Sequence, residues 1–373
     1  LPHAAWRTAA GGRATIVLIR GEAGIGKSFT FDLLHHASEL DEDQLVQSLD
    51  ELWRQRIIRE QGVDTTDYAY DFTHDRIRDV AYAELSTIRR RFFHRAVAAS
   101  LEEVYAGKTD EWSAQLAHHC DQAGNRTAAS RYFRLAGERS VRQFAHNEAI
   151  AYFTRALELT GDDDPAAAFA LLGLSERAHH VRGDRVHQEE NLTAMMALAD
   201  GLEDESRRAT VFLRRAERAE GQGEYDSAIA YAQQAMKRAT RVGNHRLEAE
   251  GLIRLGSAYW NRGDYVRSEE SYRRGLGIVR AMDERQLEIS ILLHLGALYV
   301  YHAPYSGARE ICEQALAAAQ RADDIEGQIW AHNQLGFLML EQGDDDGAIA
   351  ESHLSTGLDL ARQIGHRPYI AKL

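Results

Sequence analysis

Residues 21–28, Gly21-Glu22-Ala23-Gly24-Ile25-Gly26-Lys27-Ser28, have the types and spacing of a phosphate-binding loop. In such a loop, glycines let backbone N–H groups close on an anion, the lysine reaches the outer phosphates, and the serine hydroxyl completes the shell of a magnesium ion. The chemistry this predicts is binding of ATP or ADP with Mg²⁺. The apolar run Thr15-Ile16-Val17-Leu18-Ile19 just ahead of the motif is the strand from which such a loop hangs.

Other groups look chemical and read more simply. His118-His119-Cys120, His35-His36 and His179-His180 suggest metal ligands. Adjacent residues on a helix point about 100° apart, so these pairs are expected to pack rather than to ligate. Asp162 to Asp164 and Asp344 to Asp346 lack the ligand spacing of a calcium loop and are read as turns. The basic run Arg89 to Arg91, with Arg95, is expected to face other protein surface. Tyr259, Tyr265, Tyr299, Tyr301 and Tyr305 are candidates for a binding face, though repeat packing also accounts for them.

The bulk properties narrow the class. The chain has 373 residues, 44% hydrophobic and 27% charged, with a net charge of −13. That acidity argues against a broad nucleic-acid footprint, which is normally basic. Two cysteines, Cys120 and Cys312, offer neither a disulfide framework nor a thiolate-rich zinc site. No apolar run approaches the roughly 18 residues of a membrane span, so a cytoplasmic location is expected. Four prolines, with abundant Ala, Leu, Glu and Arg, favour a mainly helical chain.

The elements that carry these residues repeat. Rows of forty from Val211 align Gly223, Gly263 and Gly343 at turns, with Gly183 before them and Ala303 at the missing step. Leu255-Gly256, Leu295-Gly296 and Leu335-Gly336 recur with the same period, as do Ala228, Ser268, Ala308 and Ala348. Each row reads as helix, tight turn, helix, with small residues where the helices approach. The pattern resembles tetratricopeptide repeats of longer than usual period, and one hairpin cannot bury its apolar face without neighbours. Asp164 and Pro165 mark a helix start after a break. Near His353 the register slips by two residues.

Between the loop motif and the repeats lies a compact segment. Phe31, Leu33, Leu34 and Ala37 suggest one helix, and Asp41 with Gln44 caps a second whose buried stripe is Leu45, Val46, Leu49, Leu52 and Trp53. A hairpin around Gly62 follows. Thr73 is expected to cap a third helix through Ile77, Val80, Ala81 and Leu85. Helix, helix, hairpin, helix is a small winged-helix pattern.

The series GEAGIGKS, YDFTHDRIRDVAYAEL, RRRFFHRAVAASLE and then repeats resembles the STAND ATPases, closest in flavour to their bacterial transcriptional-activator branch. The resemblance implies a regulator held closed by ADP and released on exchange to ATP. An effector or protein partner would bind the repeats, and the ATP form would be a homo-oligomer. It also implies that His74, in the place of the family's winged-helix histidine, contacts a nucleotide phosphate. Any DNA contact would come through a domain outside this chain, and no membrane is involved. Similar regions are attached to class III nucleotide cyclases, and a pure interaction scaffold is a third class.

One feature departs from that family. A phosphate-loop domain needs several parallel strands, and each strand-helix-strand unit takes about 30 residues. Ser28 to Phe29 leaves no room for them, and no downstream strand ends in paired acids; Tyr68-Ala69-Tyr70-Asp71-Phe72 is the nearest candidate. We therefore expect a seam between Ser28 and Phe29, where separated segments of an NTPase are joined. No catalytic set is complete, so any hydrolysis would be a slow switch. The expected organisation is a loop fragment over 1–28, a winged helix over 29–95, helical hairpins over 96–160 and repeats over 161–373.

Overall fold

The computed structural model describes residues 29–38, 40–61, 69–302, 307–342 and 347–365. The loop motif at 21–28, the seam at Ser28, and Ala303, Tyr305 and Gly343 to Asp346 lie outside the described residues. The fold is mainly α, with seventeen helices and three short strands among the described residues. By contact, the chain divides into two compact units, Leu1–Asn191 and Leu192–Leu373.

The first unit opens with β1 (Phe29–Thr30), α1 (Phe31–Ala37), α2 (Glu42–Arg54), β2 (Ile58–Gln61), β3 (Ala69–Phe72) and α3 (Asp75–Glu84). The strands form an antiparallel sheet in the order β1-β3-β2, with Ile58 opposite Phe72 and Phe29 opposite Tyr70. Thr30 Oγ1 accepts the N–H of Leu33, and Asp41 Oδ1 accepts that of Gln44, so both helices start on a side-chain cap. Leu45, Leu49 and Leu52 are buried as the periodicity predicts.

Two members of that stripe differ. Trp53 is 55% exposed and Val46 45% exposed. Leu45, Leu49 and Leu52 follow one narrow i, i+4, i+7 line, and Val46 and Trp53 each stand one position past it, about 100° round the helix. The cap of α3 also differs. His74, not Thr73, is its N-cap residue, and no side chain caps it. Thr73 is held by the two residues just ahead of β2: its N–H donates to Ile57 O at 2.9 Å, and its hydroxyl donates to Arg56 O at 2.6 Å.

Helix α4 (Thr87–Val104) leads into α5 (Ser113–Gln122), α6 (Arg126–Arg142), α7 (His146–Thr160) and α8 (Pro165–Val181). A continuous core runs from Leu33, Leu52 and Phe72 through Val97 and Leu101 to Leu116 and Tyr132. Arg90 closes the end of α3: its Nε donates to Leu85 O, its NH2 to Ala83 O, and its guanidinium lies 4.6 Å over Tyr82. Arg89, Arg91 and Arg95 are exposed.

Helix α9 (Arg185–Gly201) carries the boundary between the units. The second unit continues as α10 (Glu205–Gly221), α11 (Tyr225–Arg241), α12 (His245–Arg262), α13 (Tyr265–Met282), α14 (Arg285–His302), α15 (Ala308–Arg321), α16 (Ile325–Gln342) and α17 (Gly347–Gln363). Two kinds of turn alternate. Within hairpins, Gly223 and Gly263 take positive φ. Between hairpins, Glu203, Gly243, Asp283 and Asp323 do so, again at a period of forty. The residue after three of those four, Asp204, Asn244 and Asp324, caps the next helix by accepting an N–H three residues on.

Close helix approach explains the recurring glycines. A Cβ on Gly256 would lie 2.6 Å from the Tyr272 ring, and Ser268 Oγ donates to Gly256 O at 2.8 Å in the buried seam. Ala228, Ser268 and Ala308 are fully buried, but Ala348 is exposed and Ala350 is buried in its stead. In α17 the buried Ala350, Gly357 and Ala361 stand 42 residues past the buried Ala308, Ala315 and Ala319 of α15, two more than the period of forty. The two-residue offset is thus already present at Ala350, just ahead of His353.

Candidate functional site

Of the residues expected to hold nucleotide, His74 alone is described. It is exposed, in extended backbone (φ −142°, ψ 130°), at the first position past strand β3 and its Thr73 anchor. Thr73 fixes the approach of the chain, so His74 stands at the N-cap of α3, the positive end of the helix dipole. That combination of an imidazole donor and a helix N-terminus suits an anion. Among its neighbours, Asp75 and Asp79 are each taken up by Arg78, both at 3.1 Å.

Asp71, the nearest candidate for a magnesium-holding acid, is buried. Its Oδ2 lies 3.2 Å from Arg59 NH2 on the paired strand. The alternation that suggested a half-exposed strand is broken here, because Asp71 and Phe72, on opposite faces of the strand, are both buried.

His119 and His36 are both engaged within the protein. His119 is buried, and its Nδ1 lies 2.8 Å from His94 Nδ1, whose Nε2 in turn lies 3.0 Å from Tyr82 Oη. One ring must donate and the other accept, so the pair cannot be doubly protonated. Burial first, then His94 and His118, hold the His119 pKa well below its ordinary value. The thiol of Cys120 is pushed up to about 11 by burial and that of Cys312 to about 12, so both are unreactive at neutral pH. His36 Nδ1 turns back to Asp32 O. Asp164 caps α8 through Ala167 N–H.

The repeat aromatics divide. Tyr259 and Tyr299 are buried, and Tyr299 Oη donates to Glu269 Oε1 at 2.5 Å while accepting from Arg273. Tyr265 and Tyr301 reach the surface. Tyr265 stacks on His302 at 3.9 Å, with Trp260 edge-on to the same ring. Val266 beside them is 79% exposed. This aromatic and apolar patch at the hairpin ends is a surface that sequence periodicity alone does not single out. In the first unit, a cavity of about 400 Å³ lies between α6 and the α7–α8 turn, lined by Arg126, Arg131, Arg134, Ser130, Asp163 and Asp164 among others.

Residues 207–281, spanning most of α10 through α13, match the family model described as tetratricopeptide repeat. The chain therefore carries tetratricopeptide repeats in a TPR-like α-solenoid. Tetratricopeptide repeat protein 29 of Trypanosoma brucei brucei (strain 927/4 GUTat10.1) is 28% identical over 130 residues, which is 35% of this chain and 27% of that protein. The match thus spans about a quarter of that relative's length. A Rap protein complexed with competence and sporulation factor shares 14% identity at a TM-score of 0.51, covering 80% of this chain and 87% of its own. A signal transduction ATPase with numerous domains and a tetratricopeptide repeat sensor, from Pyrococcus horikoshii, shares 12% at 0.47, covering 94% and 59%. At these identities the likeness concerns fold. Among the described residues, no helix is long and apolar enough to cross a membrane.

Proposed function

We propose that this chain is the sensing region of a nucleotide-switched signal-transduction regulator that controls transcription. In this reading, Gly21 to Ser28 hold ADP or ATP with Mg²⁺, a winged-helix unit over 29–95 closes on the nucleotide, and the repeats take an effector or protein partner. The ATP form oligomerises, and DNA is reached through a domain outside this chain. The observation that carries the reading is the order of parts. A phosphate-loop motif runs into a helix-helix-hairpin-helix unit whose last strand delivers an exposed His74, and repeats follow. A cyclase-regulating region would use the same switch with a different output.

His74 joins two parts through the ligand, so it stabilises the closed form only while ADP is present. A ligand shifts such an equilibrium only by its differential affinity for the two states. A hydrogen bond to a charged phosphate is worth about 1.5–3 kcal/mol, or roughly ten- to hundredfold in affinity. Calorimetric titration of the intact protein with ADP tests this. His74→Ala should weaken ADP by that factor and raise inducer-free output, and Lys27→Ala should abolish binding and leave the protein silent. Unchanged ADP affinity and a silent output in His74→Ala would remove His74 from the switch. A scaffold that holds no nucleotide is the second reading, favoured by the pairing of Asp71 with Arg59; no ADP binding by the wild-type protein would establish it.

A further inference from the structure

The α8–α9 hairpin departs from the later repeats where its two helices meet. His179 stands in register with Ala219, Tyr259 and Tyr299, all buried, and is itself buried. Asp184 stands in register with Asp264, and His187 with Arg267. Capping accounts for Asp184, whose Oδ1 faces the His187 N–H at 3.4 Å. It accounts for neither imidazole. Yet both rings converge on one atom, since Asp184 Oδ2 lies 3.1 Å from His179 Nδ1 and 2.8 Å from His187 Nδ1. The rings are nearly parallel, with centroids 5.1 Å apart and an 18° angle between planes.

The three ligand atoms lie within 4.8 Å of one another. Zinc bound at about 2.0–2.1 Å to imidazole nitrogen and about 2.0–2.2 Å to carboxylate oxygen, tetrahedrally, holds its ligand atoms roughly 3.3 Å apart. Only small side-chain movements separate the two arrangements. We propose that His179, Asp184 and His187 bind a divalent transition-metal ion of the zinc class, with water or an external atom as the fourth ligand. Nitrogen and oxygen donors of this kind suit zinc, copper or nickel rather than calcium or magnesium.

The surroundings act differently on the two rings. Burial, the largest effect on His179, lowers its pKa, whereas the hydrogen bond with Asp184 raises that of His187, whose proton a bound ion would displace. Asp184 is held at about 2, chiefly by its hydrogen bond from His187, and is an anion. His187 is 58% exposed, so an ion and the displaced proton both have a path to solvent. His180 does not join; its Nδ1 turns to Gln188 and Arg185. Arg182 disfavours positive charge on both rings, which weakens the site relative to a permanently filled structural centre. Occupancy would cross-link the last turn of α8 to the first turn of α9.

The rival arrangement is a simple cap pair, as in α13, where Asp264 Oδ1 accepts the Arg267 N–H at 3.2 Å and its Oδ2 pairs with the Arg267 guanidinium at 3.4 Å. Titration of the intact chain with CoCl₂, read by visible absorption, and with ZnCl₂ against a chromophoric chelator separates the two. One equivalent of each metal is expected, with tetrahedral cobalt bands. Asp184→Asn keeps a good capping residue, and His187→Ala changes an exposed side chain; each should lose at least tenfold in affinity while keeping the helical circular dichroism. His36→Ala, an exposed histidine elsewhere, should bind as wild type. No binding by the wild-type chain, or unchanged binding in His187→Ala, overturns the proposal and leaves the cap pair.

Discussion

At Gly256 the backbone of α12 lies against the ring of Tyr272, sixteen residues on, and a methyl group there would sit 2.6 Å from it. Tyr272 is fully buried and has no room to retreat. Gly256→Ala should therefore destabilise the second unit by about 1–3 kcal/mol, the usual cost of overpacking, measured as a lower urea midpoint. The pair is matched in size elsewhere, with Ala216 and Ala232 both buried at the same spacing one repeat earlier. A second residue-scale prediction concerns His119. Its folded pKa is depressed by burial and by His94 and His118, against about 6.5 when unfolded. The stability it contributes is present above about pH 6.5 and is lost as pH falls below that, because only the unfolded chain takes up the proton. Thermal midpoints between pH 7.5 and 5 should fall less steeply in His119→Leu than in wild type; equal slopes would show that His119 does not carry the acid sensitivity.

Elements are set by their ends. Asp324 Oδ1 accepts the Gly327 N–H at 2.9 Å at the start of α16. Asp324→Ala should cost about 0.5–2 kcal/mol, whereas Asp324→Asn should be nearly neutral. Glu203 sits at φ 51° in the turn before α10, a conformation that costs a side-chain-bearing residue about 1–2 kcal/mol. Glycine loses about 0.5–1 kcal/mol more backbone entropy on folding, so Glu203→Gly should be stabilising by roughly 0.5–1 kcal/mol on the difference of these terms. A lowered melting temperature in that variant would contradict the assignment of strain to this turn.

At the scale of the whole molecule, the proposed nucleotide switch and the repeat surface make separate demands. Val266, beside the Tyr265–His302 stack, is 79% exposed and adds little to folding. Val266→Asp should leave the melting temperature within about 1 °C, since surface changes usually fall within ±0.5 kcal/mol. In the intact protein it should lower inducer-dependent output if the hairpin ends receive the effector. A normal response would move the effector site elsewhere on the repeats. ADP affinity should be unaffected, which separates this defect from that of His74→Ala.

Periodicity of forty, turn glycines and recurring small residues determined the helical hairpins from sequence alone, because tight turns and close helix approach are local steric demands. The buried line Leu45, Leu49, Leu52 was legible from its helical spacing, while the width of that line was not. Exposure of Trp53 depends on what packs against α2, which local sequence does not encode. The register slip was visible in the residues, but only burial showed that it is complete by Ala350. Asp71 is buried and pairs with Arg59 on a neighbouring strand, a pairing twelve residues apart in sequence. The adjacent pair His179-His180 was read from sequence as packing. Helix geometry splits it, and the turn into α9 brings His179 to Asp184 and His187 instead. Convergence of side chains from two helices on one atom is a tertiary fact, decided by how the hairpin closes.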